Sequence, residues 1–506
     1  MDYKLNEGTV EFFETMHKEG MDLTFDDLLL KPRYSEILPK DTEVTGHFSR
    51  NIPLKNAVAS SAMDTVTEAK LAIAIAMCGG IGVIHKNMLP EDQREEVRKV
   101  KNMLHGKIEA PVTFTQEATL GETREIMKER NYSFNTFPVL EKNKLVGLLT
   151  NNVFKFTKDD SKKIKDVMVK NLITAKETTT IDEAYNIMLK DHKGVLPLVD
   201  EDNNFKGMYI FSDVDNIVNG ARLNHNVDKK GRLRVAASVG VTYNNEIEWE
   251  RVDALVSENV DAVVIDTAHG HTKGVIETVK QIKKKYPNLD VVAGNVSTAE
   301  ATRKLIEAGA DGIKVGQGPG SICTTRIVTG SGAAQVSAIF NCANAANGKV
   351  PIIADGGIRY SGDIVKAFAA GATCVMMGSI FASCIEAPGE TVKIHGVDYR
   401  VYRGMGSPSA MKNWKGSRER YGHKEIDSKT VAEGIEGKVL IKGPLEFVFN
   451  QLIGGVKSGL GNSGAKDVQE LQKKAKFRRV SPSGLNESHP HDINFMEDSP
   501  NYQSGR

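Results

Sequence analysis

The densest chemistry in the chain lies in the run VGQGPGSICTTR, Val315 to Arg326. Gly316, Gly318 and Gly320 follow an apolar stretch, and glycine there lets the backbone take positive φ and approach a ligand closely. Ser321, Thr324 and Thr325 place hydroxyls around Cys323. A cysteine is most often a small buried hydrophobe. Cys78, Cys342 and Cys374 fit that description in their apolar contexts, and Cys384 is less clear-cut. Cys323, in a Gly/Ser/Thr loop after a strand, is placed instead to present a thiolate nucleophile.

Two further runs suggest an anionic ligand. IIADGGIRYSGD (352–363) reads as a strand ending in Asp355, then Gly356-Gly357 and a helix capped at Ser361. VMMGS (375–379) ends in Gly378-Ser379. In a (β/α)8 barrel the loops after the last two strands often cradle a phosphate with backbone N–H groups. Together they suggest a nucleoside monophosphate site, with Asp355 on the ribose hydroxyls. Between Asp398 and Lys424 the chain carries seven Lys/Arg against two acids with little hydrophobic periodicity. That suits a mobile lid over an anion, spanning about 398–430. GLGNSG (459–464) matches a dinucleotide fingerprint, but no βαβ unit surrounds it. His269, His271, His489 and His491 lack the Cys or spaced carboxylates of a zinc site.

These groups need a scaffold. Short apolar runs recur at 57–61, 81–85, 234–238, 262–266, 290–294, 312–316, 351–355 and 374–378. Runs of about five rich in Val and Ile read as strands buried on both faces. Helical segments lie between most of them. From Arg234 onward the strand starts fall 28, 28, 22, 39 and 23 residues apart, which is βα spacing. Eight units with polar strand ends favour a (β/α)8 TIM barrel over a doubly wound open sheet, with the site at the C-terminal ends of the strands.

The second and third strands lie about 150 residues apart, far beyond a βα loop. Residues 111–220 repeat one pattern twice, as ATLGETREIMKERNYSFNTFPVLEKNKLVGLLTNNV and TTIDEAYNIMLKDHKGVLPLVDEDNNFKGMYIFSDV. This repeat resembles a tandem pair of CBS modules, divided near 170, a type that often binds adenine nucleotides. The second keeps Asp213 in FSDV, where such modules carry a ribose-binding Asp; the first has TNNV instead. The barrel is thus expected in two parts, 1–110 and 221–506.

Composition adds exclusions. Lys+Arg of 66 against Asp+Glu of 65 gives a net charge of +1, too balanced for a general nucleic-acid coat. Five Cys without a CxxC pair suit reduced thiols in the cytoplasm. The N-terminus lacks a basic-then-apolar leader, and no run of about 18 apolar residues predicts a membrane span.

Taken together, GSICTTR, the DGG turn, YRGMGS and the Arg420-Tyr421 pair resemble the inosine-5′-monophosphate (IMP) dehydrogenase family over nearly the whole chain. The resemblance implies NAD-dependent oxidation of IMP to xanthosine 5′-monophosphate (XMP) through a thioimidate on Cys323. Arg420 then activates the hydrolytic water, with Tyr421 as its partner and Thr325 aiding proton transfer. It implies IMP contacts from Ser321, Asp355, Gly356, Gly357, Gly378, Ser379, Tyr402, Arg403, Gly404, Met405, Gly406 and Glu433. NAD would meet Asp266, Gly316, Gln317 and Gly318, although Gln317 departs from the apolar residue usual there. A K⁺ ion would take carbonyls of Gly318, Gly320 and Cys323, with Glu487, Ser488 and His489 from a neighbouring subunit. That implies a homotetramer, which CBS modules binding ATP or GTP can join into an octamer. Two rivals are a GMP reductase, which generally lacks the CBS pair and the Arg-Tyr flap, and a non-catalytic CBS nucleotide sensor, which has no use for an intact Cys323, Thr325 and Arg420.

Overall fold

The computed structural model describes residues 3–103, 107–108, 111–129, 136–219, 224–413, 431–493 and 501–502. The chain divides into two compact units, Met1–Met103 with Asn224–Arg506, and Leu104–Leu223.

In the first unit eight parallel strands close into a barrel: β1 (Val58–Ser60), β2 (Ile81–Ile84), β3 (Val235–Val239), β4 (Ala262–Asp266), β5 (Asp290–Val296), β6 (Gly312–Val315), β7 (Ile352–Asp355) and β8 (Cys374–Met377). All eight coincide with the apolar runs. β8 pairs with β1, and β2 pairs with β3 across the insertion point. Side chains alternate between faces with a period of two. Ala262, Val264, Val292, Ile353, Cys374 and Met376 pack inside the barrel. Val263, Ile265, Ile313, Val315, Ile352, Ala354 and Val375 pack outward beneath the helices. The hairpin of Gly46–Ser49 and Ile52–Leu54 adds Phe48, Ile52 and Leu54 to the inner cluster. It ties to the N-terminal end of β5 through Asp290, which accepts from the Asn51 amide and side chain at 3.0 and 2.7 Å.

The intervening helices follow their caps. Thr272 and Thr298 accept from Val275 and Ala301 N–H at the starts of Lys273–Lys285 and Ala299–Glu307. The helix Ser361–Ala369 departs from expectation, since Ser361 is its first residue rather than its cap. Its first turn closes through Asp363, which accepts from the Arg359 and Tyr360 amides at 3.0 and 3.2 Å.

The basic stretch also departs from the expected lid. Residues 398–403 belong to Val397–Arg403, the central strand of an antiparallel sheet between Thr391–Ile394 and Glu436–Leu440. Alternation puts Arg400 and Tyr402 in buried positions. A run with charges every second or third residue hides a strand from a search for apolar periodicity. Pro408–Asn413 is a short helix, and 414–430, with Arg420 and Tyr421, lie outside the described residues.

The second unit holds the repeat. One sheet contains Phe114–Thr115, Phe137–Glu141 and Lys144–Leu149; the other contains Ala175–Lys176, Val195–Val199, Phe205–Ile210 and Lys107–Ile108. Each half opens its helix with the same capping box: Thr119 with Glu122, and Thr180 with Glu183. Lys107–Ile108 pairs with Met208 and Tyr209, so the unit begins a few residues before 111. Among the described residues no helix is long and apolar enough to cross a membrane.

Candidate active site

The barrel's alternation builds the site at the C-terminal strand ends. On β4 and β7 the inward residues Val264 and Ile353 are followed two positions on by Asp266 and Asp355. On β6, Ile313 and Val315 face outward, so Lys314 faces inward. A register shift between Gly294 and Val296 puts Asn295 among them. Lys314 Nζ donates to Asp266 Oδ1 at 2.7 Å, to Asp355 Oδ2 at 2.8 Å and to Asn295 Oδ1. Asn295 Nδ2 donates in turn to Asp355 Oδ2 at 2.9 Å and to the Gly316 carbonyl at 2.7 Å. Asp266 and Asp355 were legible as strand-end acids. Lys314 and Asn295 were missed; the available signal was a lysine inside a strand otherwise buried on both faces.

Backbone crowding explains the glycines of the loop after β6. At Gly316, with φ +147, a Cβ would sit 2.1 Å from the Asp355 carbonyl oxygen. At Gly318, with φ +80, it would meet the Arg326 side chain. Arg326 holds the loop from beneath, donating to the carbonyls of Gln317, at 2.8 Å, and Ala333. Gln317 is anchored as well: Ser297 Oγ donates to its Oε1 at 2.6 Å, and its Nε2 lies 3.0 Å from His269 Nδ1.

Cys323 lies in this loop, partly exposed, with its thiol donating to Thr325 Oγ1 at 3.1 Å. The loop is pinned by backbone from far along the chain. Thr324 N donates to Glu433 O at 3.0 Å, and Ile435 N donates to Ile322 O at 2.9 Å. Gly404 N donates to Ile435 O at 3.0 Å, and Glu433 N donates to Gly406 O at 3.1 Å. The YRGMGS turn, the Cys loop and 433–435 therefore form one layer. Cys342, Cys374 and Cys384 are buried, and burial pushes the thiols of Cys78, Cys342 and Cys384 up to about 12 and that of Cys374 well above its ordinary value. Cys384 thus joins the inert set.

Two adjoining cavities open here. One is lined by Asp266, Asn295, Lys314, Gly316, Gln317, Gly318, Gly320, Cys323, Thr325, Asp355, Gly356, Gly378, Tyr402, Gly404, Met405 and Glu433. The other shares Gly320, Gly356, Gly378 and Tyr402 and adds Ser321, Gly357 and Ser379. The Tyr402 phenol is buried and its pKa raised by that burial, leaving it a neutral hydroxyl beside Gly378 and Ser321.

Some expected residues stand apart. Arg403 lines neither cavity. Its guanidinium grips the Asp64 carboxylate, Nη2 to Oδ2 at 2.8 Å and Nε to Oδ1 at 3.1 Å. Gly406 contributes backbone to the layer but no cavity wall. Glu487, Ser488 and His489 also lie outside both cavities of their own chain, and His489 Nδ1 lies 2.8 Å from the Tyr502 hydroxyl.

Comparison with known proteins agrees with this geometry. The family model described as IMP dehydrogenase / GMP reductase domain matches residues 22–491. The chain is 50% identical to an inosine-5′-monophosphate dehydrogenase from Aquifex aeolicus over 490 residues, 96% of this chain and 98% of that one. It is 49% identical to proteins of the same name from Bacillus subtilis and Halalkalibacterium halodurans, again over 96% and 98% of the two chains. Among solved structures, a cysteine-to-alanine variant of GMP reductase from Trypanosoma brucei, in complex with guanosine 5′-monophosphate, superposes with a TM-score of 0.85. It is 35% identical and covers 94% of this chain and 98% of its own. Coverage that wide takes in most of the inserted unit, so the insertion does not separate dehydrogenase from reductase, contrary to the expectation from sequence. With the family match and half of all residues shared over nearly full length, the chain belongs to the IMP dehydrogenase / GMP reductase family.

Proposed function

We propose that the protein oxidises IMP to XMP with NAD⁺. The observation that carries this reading is one cavity wall holding the Cys323 thiol, its Thr325 partner and the strand-end acids Asp355 and Asp266. Identity near 50% to dehydrogenases, against 35% to the reductase, gives the direction of the chemistry.

The monophosphate lies across both cavities. Ser321, Gly357, Gly378 and Ser379 take its phosphate, where glycine leaves backbone N–H groups accessible. Asp355 accepts from ribose hydroxyls, and Gly356, Tyr402, Gly404, Met405 and Glu433 complete the base pocket, with Gly406 bracing it through its carbonyl on the Glu433 amide and Arg403 through Asp64. The Cys323 thiolate adds to C2 of the hypoxanthine ring, and the hydride on C2 departs. NAD⁺ would supply the hydride acceptor, and Asp266 with the Gly316–Gln317–Gly318 turn, on the wall of the same cavity, would hold it. The resulting thioimidate is hydrolysed by water, which forms the C2 carbonyl of XMP and returns the thiol. Arg420 activates that water with Tyr421, and Thr325, already hydrogen-bonded to the sulfur, relays a proton.

A potassium ion suits the Cys loop. Among the described residues no backbone hydrogen bond ends on the carbonyls of Gly318 or Cys323, while that of Gly320 accepts the Cys323 amide and keeps a second lone pair. A ring of such carbonyls replaces the ion's hydration shell. Glu487, Ser488 and His489 of a neighbouring copy would add the remaining ligands, so the site would need an oligomer, in this reading a homotetramer. The repeated unit is a CBS pair taking ATP or GTP, with Asp213 on the ribose in the second module, and it can join tetramers into octamers. Five unpaired thiols suit the cytoplasm.

The test is absorbance at the NADH band with IMP and NAD⁺, with and without K⁺, beside a reverse arm of GMP and NADPH. NADH formation that K⁺ stimulates is the expected outcome. NADPH consumption with GMP, and none of the first, would establish the reductase instead.

A further inference from the structure

The inner cluster of the barrel is apolar up to the layer where a lysine and two aspartates meet. Burying charge is costly unless each group is paired and hydrogen-bonded. Here all three Lys314 N–H bonds are used, on Asp266, Asp355 and Asn295, and its side chain is 3% exposed. Asn295 closes the ring by donating to Asp355 and to the Gly316 carbonyl. A device needed only to neutralise charge would not have to reach both aspartates. One nitrogen within 2.8 Å of both instead ties the end of β4 to the end of β7, which stand 89 positions apart in sequence and on different parts of the wall.

We propose that Lys314 is a positioning residue that couples the two ligand sites, holding Asp355 for the monophosphate ribose and Asp266 for the dinucleotide in one geometry. The inference rests on the function proposed above and extends it. Lys314 performs no chemistry on the substrate. It sets the distance between two carboxylates that bind different molecules, one nitrogen bonding to both. Asn295 carries the same coupling to the Gly316 turn, so a shift on either side moves the backbone under the other ligand.

Lys314→Met removes the charge at similar length. It is expected to raise KM for IMP and KM for NAD⁺ together, each at least about tenfold, as for loss of one partner of a buried pair. kcat at saturation should stay within about threefold, because the reacting atoms are untouched. The double variant Lys314→Met/Asp266→Asn separates positioning from charge balance. Neutralising Asp266 removes the repulsion between the two carboxylates but does not restore the bond that Lys314 makes to Asp355, so KM for IMP should stay as high as in Lys314→Met. A double variant whose KM for IMP falls back to within about threefold of wild type would show that charge balance was all Lys314 supplied, and overturns the proposal. Should Lys314→Met fail to fold, Asn295→Ala, which alters no charge, takes its place. Both KM values should rise together by at least about threefold, and a rise in only one overturns the coupling. The wild-type assay with IMP and NAD⁺ is run first, so a failure of the proposed function is seen before any variant is made.

Discussion

Gly316→Ala tests the architecture at its tightest point. A Cβ there would lie 2.1 Å from the Asp355 carbonyl oxygen, where real contacts stay above 3.0 Å. The backbone must therefore open by about 1 Å, and the atom that would have to yield is main chain at the end of β7 rather than a flexible side chain. Two costs follow. The positive φ of Gly316 adds about 1–3 kcal/mol of strain for any residue with a Cβ. A displacement of about 1 Å beside Asp355 also misplaces the bound monophosphate, which can cost about 100-fold in rate. Gly20→Ala is the control, since Gly20 has φ +72 but nothing within 4 Å of where a Cβ would stand. It should lose about 1–2 kcal/mol of local stability and no activity. The assay is kcat/KM for NADH formation alongside thermal melting of both variants. The expected result is a fall of at least about 100-fold for Gly316→Ala with a folded barrel, and unchanged kcat/KM for Gly20→Ala. Near wild-type kcat/KM for Gly316→Ala would refute the close-approach argument.

Cys323→Ala should abolish NADH formation while IMP still binds in equilibrium titration; turnover near wild type would remove the thioimidate route. Arg420→Ala should keep a single-turnover burst of NADH and stall afterwards with XMP bound to the enzyme, and loss of the burst would count against a role confined to hydrolysis. Alkylation near pH 8 should modify Cys323 alone and be blocked by IMP: thiols raised to about 12 bind their proton throughout that range and gain reactivity only as the pH climbs toward 12, so peptide mapping that finds Cys78 or Cys384 labelled at a similar rate would contradict the burial argument. Asp64→Ala strands the Arg403 guanidinium, whose side chain is 20% exposed, and should cost about 2 kcal/mol in denaturant unfolding once that exposure is discounted; a change below about 0.5 kcal/mol would show that the pair contributes little. Replacing Leu104–Leu223 by a short linker should leave measurable activity, because that unit is compact by itself and every residue lining the two cavities comes from the other, and a folded but inactive deletion would contradict the modular reading.

Much of the fold and the site could be read from local pattern. Strands buried on both faces write themselves as short Val/Ile runs, and all eight fell where the barrel has them. Cys323, Asp355 and Gly378 stood out because loops after strands carry residue types that packing does not demand. The misreadings have local causes too. Val397–Arg403 pairs on both sides, yet its alternating charges resemble a solvated segment. Arg403 stands just before the glycines of YRGMGS, but its partner Asp64 lies 339 residues away.

The sequence alone determined the period of the strands, the repeat inside the insertion and which cysteine stands in a polar loop rather than in the core, because each is recorded in neighbouring residues. Tertiary structure decided what those residues do together. Closing the barrel brings Asp266, Asn295, Lys314 and Asp355 from four strands onto one inner layer, and it presses Gly316 against the end of β7. Periodicity says which way a side chain points along its own strand, whereas the partner it meets depends on the tilt, register and closure of all eight.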